Sequence, residues 1–395
     1  MRDESGTFRL IPYGHQDIDA SDIEAVVAVL RSDWLTQGPT VGEFERQIAA
    51  YCGSRYAVAV NSGTSALHLA CLAAGVGAGD AVWTTPNTFV ASANCALYCG
   101  ATVDFVDIDP RSYNLCPNRL EEKLARAARA GTLPKAVIPV HFSGQPCDLD
   151  ALRALSAKYG FCLIEDACHA FGADYRGRPV GSGCGAGLAV FSFHPVKIIT
   201  TGEGGVAVTD DEQIYRRLLL LRTHGITRDA FEVADPEAGP WYYEQQALGF
   251  NYRLTDLQAA LGISQLKRAT AMVARRRELA ARYDRELAPL PLTVPVQDAG
   301  SRSSWHLYAI RLRLDALRKS RLEIFNALRA AGIGVNVHYI PVHLQPYFRK
   351  RGFKPGDFPL AEQYYREAIT LPLYSGLTDA QQASVIETLG KVLAD

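Results

Sequence analysis

The feature that most limits what this chain can fold into lies in its first two-thirds. Short, mainly apolar β-type runs alternate there with helical patterns. Residues 56–60 (YAVAV), 81–84, 102–106, 136–140 and 161–164 read as strands. Residues 65–74, 89–98, 120–130 and 149–159 read as helices. A strand that is apolar on both faces has no side that can meet water. Helices must cover both sides, and connecting helices do so when the strands run parallel. The pattern predicts an α/β fold with a largely parallel central sheet.

The pattern changes after Gly172. GADYRGRPVGSGCGAG has the glycines of a hairpin and loop, and strands follow at 188–193 and 205–209. Residues 235–249 read as an irregular excursion. An Arg-rich stretch at 256–287 reads as one long helix, and its arginines between 268 and 286 as a solvated face with aliphatic stems on the core. PLPLTVPVQ breaks the chain. The remainder reads as a smaller α+β unit with a strand at 308–312, a helix ending at Gly332 and a strand at 335–339. These shifts predict a large domain over residues 1–260, with an N-terminal arm at 1–35, and a small C-terminal domain over 261–395 that includes the linking helix.

Composition narrows the function. Lys plus Arg number 41 and Asp plus Glu 42, for a net charge of −1, where a nucleic-acid binder shows a basic excess. No run of about 18 apolar residues offers a membrane span, and the first ten residues, MRDESGTFRL, lack an apolar signal core. The nine cysteines are odd in number and form no C-x-x-C pair, which favours reduced thiols in a cytoplasmic protein over disulfides or a metal site.

Three segments carry chemistry. Asn61-Ser62-Gly63-Thr64-Ser65 follows a strand and opens a helix. Free backbone N–H groups and the helix dipole suit an anion there, although Ser and Thr are also ordinary helix caps. Glu165-Asp166 ends an apolar strand, where ligand sites of parallel sheets lie. A carboxylate in that position calls for a cation, or Asp166 simply caps the next turn. FSFHPVKIITTGEGG places Lys197 just past a strand and before a glycine-rich turn. A partly dehydrated lysine can form a Schiff base, whereas most lysines are solvated. Together the three supply an anion cradle, a carboxylate and an amine, which fits pyridoxal phosphate (PLP).

NSGTSAL, TTPNTF, IEDACHAFGA, FSFHPVKIITTGEGG and GFNYRLTDLQAALG, in that order, resemble the DegT/DnrJ/EryC/StrS family of fold-type-I PLP-dependent sugar aminotransferases. The similarity runs from YGHQDID to LPLYSGL. HPVKIITTGEGG, RTHGITRD and VHYIPVHLQPYF are most similar to the C4 aminotransferases of UDP-sugars in pseudaminic acid biosynthesis.

The resemblance implies roles. Lys197 would bind the cofactor aldehyde and then move protons. Asp166 would pair with the ring nitrogen. Gly63, Thr64 and Ser192 would hold the phosphate, Phe89 would stack on the ring, and His169, where the family often has Gln, would lie near the ring hydroxyl. Asn251 would reach the phosphate in a neighbouring subunit and make the site a homodimer property, although Asn251 and Arg253 also suit helix-entry capping. Tyr13, the Trp34-Leu35-Thr36-Gln37 loop, Val337, His338, Tyr339, Ile340 and His343 resemble segments near the nucleotide sugar; for Tyr339 and Ile340, packing on the small domain is the competing reading. The implied reaction transfers an amino group from L-glutamate to C4 of a 4-keto-6-deoxy UDP-N-acetyl-sugar, with other 3-keto or 4-keto nucleotide sugars as the alternative. Dehydratases on this fold replace the Schiff-base lysine with histidine, and Lys197 counts against that class. A nicotinamide enzyme would need G-x-G-x-x-G opening the first helix, and GSGCGAG at 181–187 has the wrong spacing. A non-catalytic binding protein would have no use for the Asp166–Lys197 pair.

Overall fold

The computed structural model describes residues 10–185, 187–228, 233, 235 and 239–394. Residues 1–9 of the N-terminal arm, Ala186 of the glycine-rich loop and 236–238 of the excursion lie outside these. The central sheet has seven strands: β1 (Tyr56–Val60), β2 (Ala81–Thr84), β3 (Thr102–Phe105), β4 (Ala136–Ile138), β5 (Cys162–Asp166), β6 (Leu188–Ser192) and β7 (Gly205–Thr209). Their order is β1-β7-β6-β5-β4-β2-β3. Only β7 runs against its neighbours.

Both faces are buried, as the apolar strands demand. Along β1, Val58 and Val60 join a core with helix Gly63–Ala73, while Ala57 and Ala59 face Phe44 and Ile48 of helix Pro39–Cys52. A separate core under residues 279–393 packs Leu279, Tyr283 and Leu287 against Tyr308, Ile310, Ile369, Leu371, Val385 and Leu389. Its antiparallel sheet joins Leu292–Thr293, Tyr308–Leu312 and Ala368–Leu371. No helix among the described residues is long and apolar enough to cross a membrane.

Three expectations change. The Arg-rich stretch forms two helices, Asp256–Leu266 and Ala269–Leu287. At the break, the Arg268 guanidinium reaches Asp22 at 2.6 Å, Asp19 at 3.0 Å and Asp17 at 3.3 Å. Nor is Arg276 on a solvated face. It is buried, and its Nη1 donates to the carbonyls of Trp305, His306 and Leu373. Finally, 335–339 is not a strand. Asn336 and Thr370 exchange backbone hydrogen bonds in a single bridge, and the Asn336 side chain then takes the N–H of Val337.

Candidate active site

The parallel strands aim their carboxyl ends at one place. At the end of β1, Ser62 caps helix Gly63–Ala73 by accepting from the N–H of Ser65. In the sheet register Gly205 lies between Val60 and Ser192. A side chain on Gly205 would meet the Ser62 carbonyl carbon at 2.5 Å and the Gly63 nitrogen at 2.6 Å, so its absence lets the helix start abut the sheet. A Cβ on Gly63 would sit 2.9 Å from Ser192 Cβ and 3.3 Å from Cys168 Sγ. The start of this helix therefore faces the end of β6 across a gap that only glycine leaves open.

These elements wall a cavity of about 920 Å³. Tyr13, Gly63, Thr64, Phe89, Asp166, His169, Ser192, Lys197, Val337, His338 and Tyr339 all line it. The two carboxylates that end β5 diverge. Glu165 turns away from the cavity to His141 Nε2 at 3.1 Å and Arg153 at 3.3 Å. Asp166 takes no ion pair among the described residues. Its Oδ2 accepts from the Ser92 hydroxyl at 2.6 Å, and its Oδ1 from the N–H of Cys168 at 3.1 Å. The cap expected for Asp166 is thus present, and no cation among the described residues forms an ion pair with it.

Lys197 keeps access to the cavity, and its amine makes no hydrogen bond or ion pair with the described residues. Burial lowers its pKa, against opposing pulls from Cys168 and Asp166. His169 shares a 3.1 Å hydrogen bond between Nε2 and the Tyr339 hydroxyl, and its Nδ1 is buried without a partner. Burial first, then the charge of Lys197, holds His169 and His306 well below the usual histidine range, and His338 at about 3. The three imidazoles are therefore neutral at neutral pH.

These residues suit PLP on their own chemistry. The cradle at Gly63 admits an anion, and the Asp166 carboxylate can only accept. His169 Nδ1 is a buried polar atom with nothing to bond, and Phe89 is an aromatic ring left 58% exposed at the cavity. The Lys197 amine is partly dehydrated and unpartnered.

Known proteins supply the family. The pattern of the DegT/DnrJ/EryC1/StrS aminotransferase family matches residues 16–390. The chain belongs to that family. Among its relatives, the spore coat polysaccharide biosynthesis protein SpsC of Bacillus subtilis is 41% identical over 386 residues, 97% of each chain. Spr1654 from Streptococcus pneumoniae in its PMP form superposes with a TM-score of 0.89 at 33% identity, covering 97% of this chain and 99% of that one. Helicobacter pylori PseC, an aminotransferase involved in the biosynthesis of pseudaminic acid, gives 0.88 at 30% identity, covering 98% and 100%. The family membership makes this chain a PLP-dependent sugar aminotransferase with the fold-type-I architecture seen above.

Within this family member, some residues singled out in the sequence stand apart from the cavity of a single chain. Leu35, Thr36 and Gln37 are exposed, on a loop tied to helix Asp256–Leu266 by the N–H of Leu257 donating to the Leu35 carbonyl. Trp34 and Ile340 are also exposed and do not line the cavity. Asn251 is exposed on the strand-like segment that bridges Thr223, and Arg253 bridges Val60. His343 is withdrawn altogether: it is buried against Glu362 at 3.0 Å. Sequence reasoning passed over Ser92, Thr88, Cys168 and His306, which touch the site. Ser92 and Thr88 sit in TTPNTFVASAN, where the only available signal was a pair of hydroxyls four residues apart, one helical turn.

Proposed function

We propose that this chain moves an amino group from L-glutamate to C4 of a 4-keto-6-deoxy UDP-N-acetyl-sugar for a cell-surface glycan. We further propose that it works as a cytoplasmic homodimer, with PLP held between residues 1–260 and the small unit 261–395. The observation that carries the catalytic reading is the convergence of Lys197, Asp166 and the Gly63 helix start on one cavity. The likeness to PseC, an aminotransferase in pseudaminic acid biosynthesis, and to SpsC, a spore coat polysaccharide biosynthesis protein, supports a sugar substrate.

When bound, PLP supplies an aldehyde that links to amines and a ring that accepts electrons. The chain's residues do the rest. The N–H groups of Gly63 and Thr64, with the Ser192 hydroxyl, would hold a phosphate. Asp166 would accept from a cationic ring nitrogen, and Phe89 would pack against the ring. Lys197, neutral more readily than a solvated lysine, would be the amine that holds the aldehyde. With the donor bound, its free amine would be the base for the proton on the donor's Cα. In the second half of the reaction it returns a proton to the sugar carbon. Neutral His169 would lie by the ring hydroxyl, and neutral His338, with Tyr13 and Tyr339, offers hydrogen bonds to substrate oxygens without adding charge. Asn251, exposed on its own subunit, serves the partner's phosphate site.

The test is a mass-spectrometric assay with PLP, glutamate and a panel of 3-keto and 4-keto nucleotide sugars. Gain of an amine by the 4-keto-6-deoxy UDP-N-acetyl-sugar is the expected result. Amination of only 3-keto sugars, or of only dTDP- or GDP-linked ones, rejects the assignment of substrate.

A further inference from the structure

Behind Asp166 lies a short chain of hydroxyls that the reaction above does not use. Thr88 Oγ1 is 2.7 Å from Ser92 Oγ, and Ser92 Oγ is 2.6 Å from Asp166 Oδ2. The three side chains are 2%, 0% and 5% exposed, so bulk water does not compete for these bonds. Protons fix the direction. An ionised carboxylate can only accept, so the single Ser92 proton goes to Asp166. The bond between the two hydroxyls must then use the proton of Thr88. Donation runs one way, from Thr88 to Ser92 to Asp166, and each bond strengthens the next. The N–H of Cys168 closes on the other oxygen. Two of the roughly four lone-pair sites of the carboxylate are thereby filled by donors, and the remaining two or so stay open to a further donor.

This arrangement favours one protonation state. If Asp166 carried the proton, the carboxyl group would become a donor, and the Ser92 proton would lose its strongest acceptor. We propose that Ser92 and Thr88 are positioning residues that hold Asp166 as an oriented, ionised acceptor and so keep the shared proton on the ring nitrogen of the cofactor. The proposal rests on the PLP reading above and deepens it. The groups around the carboxylate leave this task to the hydroxyls. Among the described residues Lys197 is the cation whose charge acts on Asp166, and its amine would be committed to the aldehyde once the cofactor is bound. Burial keeps the Cys168 thiol and the Tyr339 phenol protonated.

The test loads the full-length protein with PLP labelled with ¹⁵N in the ring and reads the nitrogen resonance, which differs sharply between the protonated and free ring. Wild type is expected at the protonated position. Ser92→Ala removes a hydrogen bond to a charged group and should change the ratio of ring-protonated to carboxyl-protonated forms about tenfold toward the latter. Thr88→Val keeps the side-chain shape, removes only the outer hydroxyl, and should move the signal the same way by a smaller amount. Ser92→Thr keeps the donor and should restore the wild-type position, which a merely space-filling role would not require. If Ser92→Ala fails to fold, the Thr88→Val signal decides. Coincident resonances in wild type and the folded variants overturn the proposal and leave the functional reading intact. Failure of wild type to take up the labelled cofactor overturns both.

Discussion

Replacing Gly63 with alanine isolates the anion cradle from the rest of the site. Backbone strain is not at issue, because Gly63 is absent from the positive-φ positions. In a helix, alanine should gain about 0.5–1 kcal/mol over glycine. Against this, the new methyl group would lie 2.9 Å from Ser192 Cβ, 3.2 Å from its Oγ and 3.3 Å from Cys168 Sγ. Overpacking of that kind costs about 1–3 kcal/mol. The apoprotein should therefore lose only about 0–2.5 kcal/mol, a shift of a few degrees in Tm. Cofactor affinity should suffer more. Pushing Ser192 and the helix start apart weakens one or two hydrogen bonds to a charged group, worth about 1.5–3 kcal/mol each, so Kd for PLP should rise roughly tenfold or more. Absorbance titration of apoprotein measures Kd, and a thermal melt measures the fold. Gly77→Ala is the control, since nothing lies within 4 Å of its added Cβ. An unchanged Kd in a folded Gly63→Ala protein would refute the cradle.

Other consequences follow from the same contacts. His343→Ala should lower stability by about 2 kcal/mol through loss of its buried hydrogen bond to Glu362, whose Oε1 keeps only the N–H of Gly356, while leaving kcat unchanged, as urea melts and steady-state rates would show. His338 has a folded pKa of about 3 against the ordinary 6.5, so the unfolded chain binds the extra proton first. Its contribution to stability is complete above about 6.5 and disappears as pH falls toward 3, and His338→Gln should flatten that part of the stability–pH curve. Mixing Asn251→Ala with Lys197→Ala protein should regenerate some activity in mixed dimers. Continued inactivity would remove Asn251 from the partner's site.

Much of the central sheet was legible because its signals are local. β1, β2 and β7, and helix Leu149–Tyr159, appear at the bounds read from the sequence, where apolar runs stop against Gly, Pro or polar residues. The pairing of β1 with β7 brings together residues 145 or more positions apart, such as Val60 and Gly205, and no local pattern encodes it. Strand Ala368–Leu371 was missed because its four residues, three of them apolar, sit directly after a helix and are defined by long-range partners. The break at Arg268 depends on three aspartates near the N-terminus. In the site, Asp166 and Lys197 stood out because charge beside an apolar strand is costly and needs a reason. Ser92 did not, because one serine in an alanine-rich helix is unremarkable until Asp166 is seen 2.6 Å away.

The central claim is that the Lys197 amine carries the cofactor. Borohydride reduction of PLP-loaded protein, followed by peptide mass mapping, tests it directly. The account predicts one pyridoxyl-phosphate adduct per chain, on the peptide containing HPVKIITTG, with neither adduct nor visible absorbance in Lys197→Ala. An adduct on a different lysine, or full transamination by the Lys197→Ala protein, would contradict it.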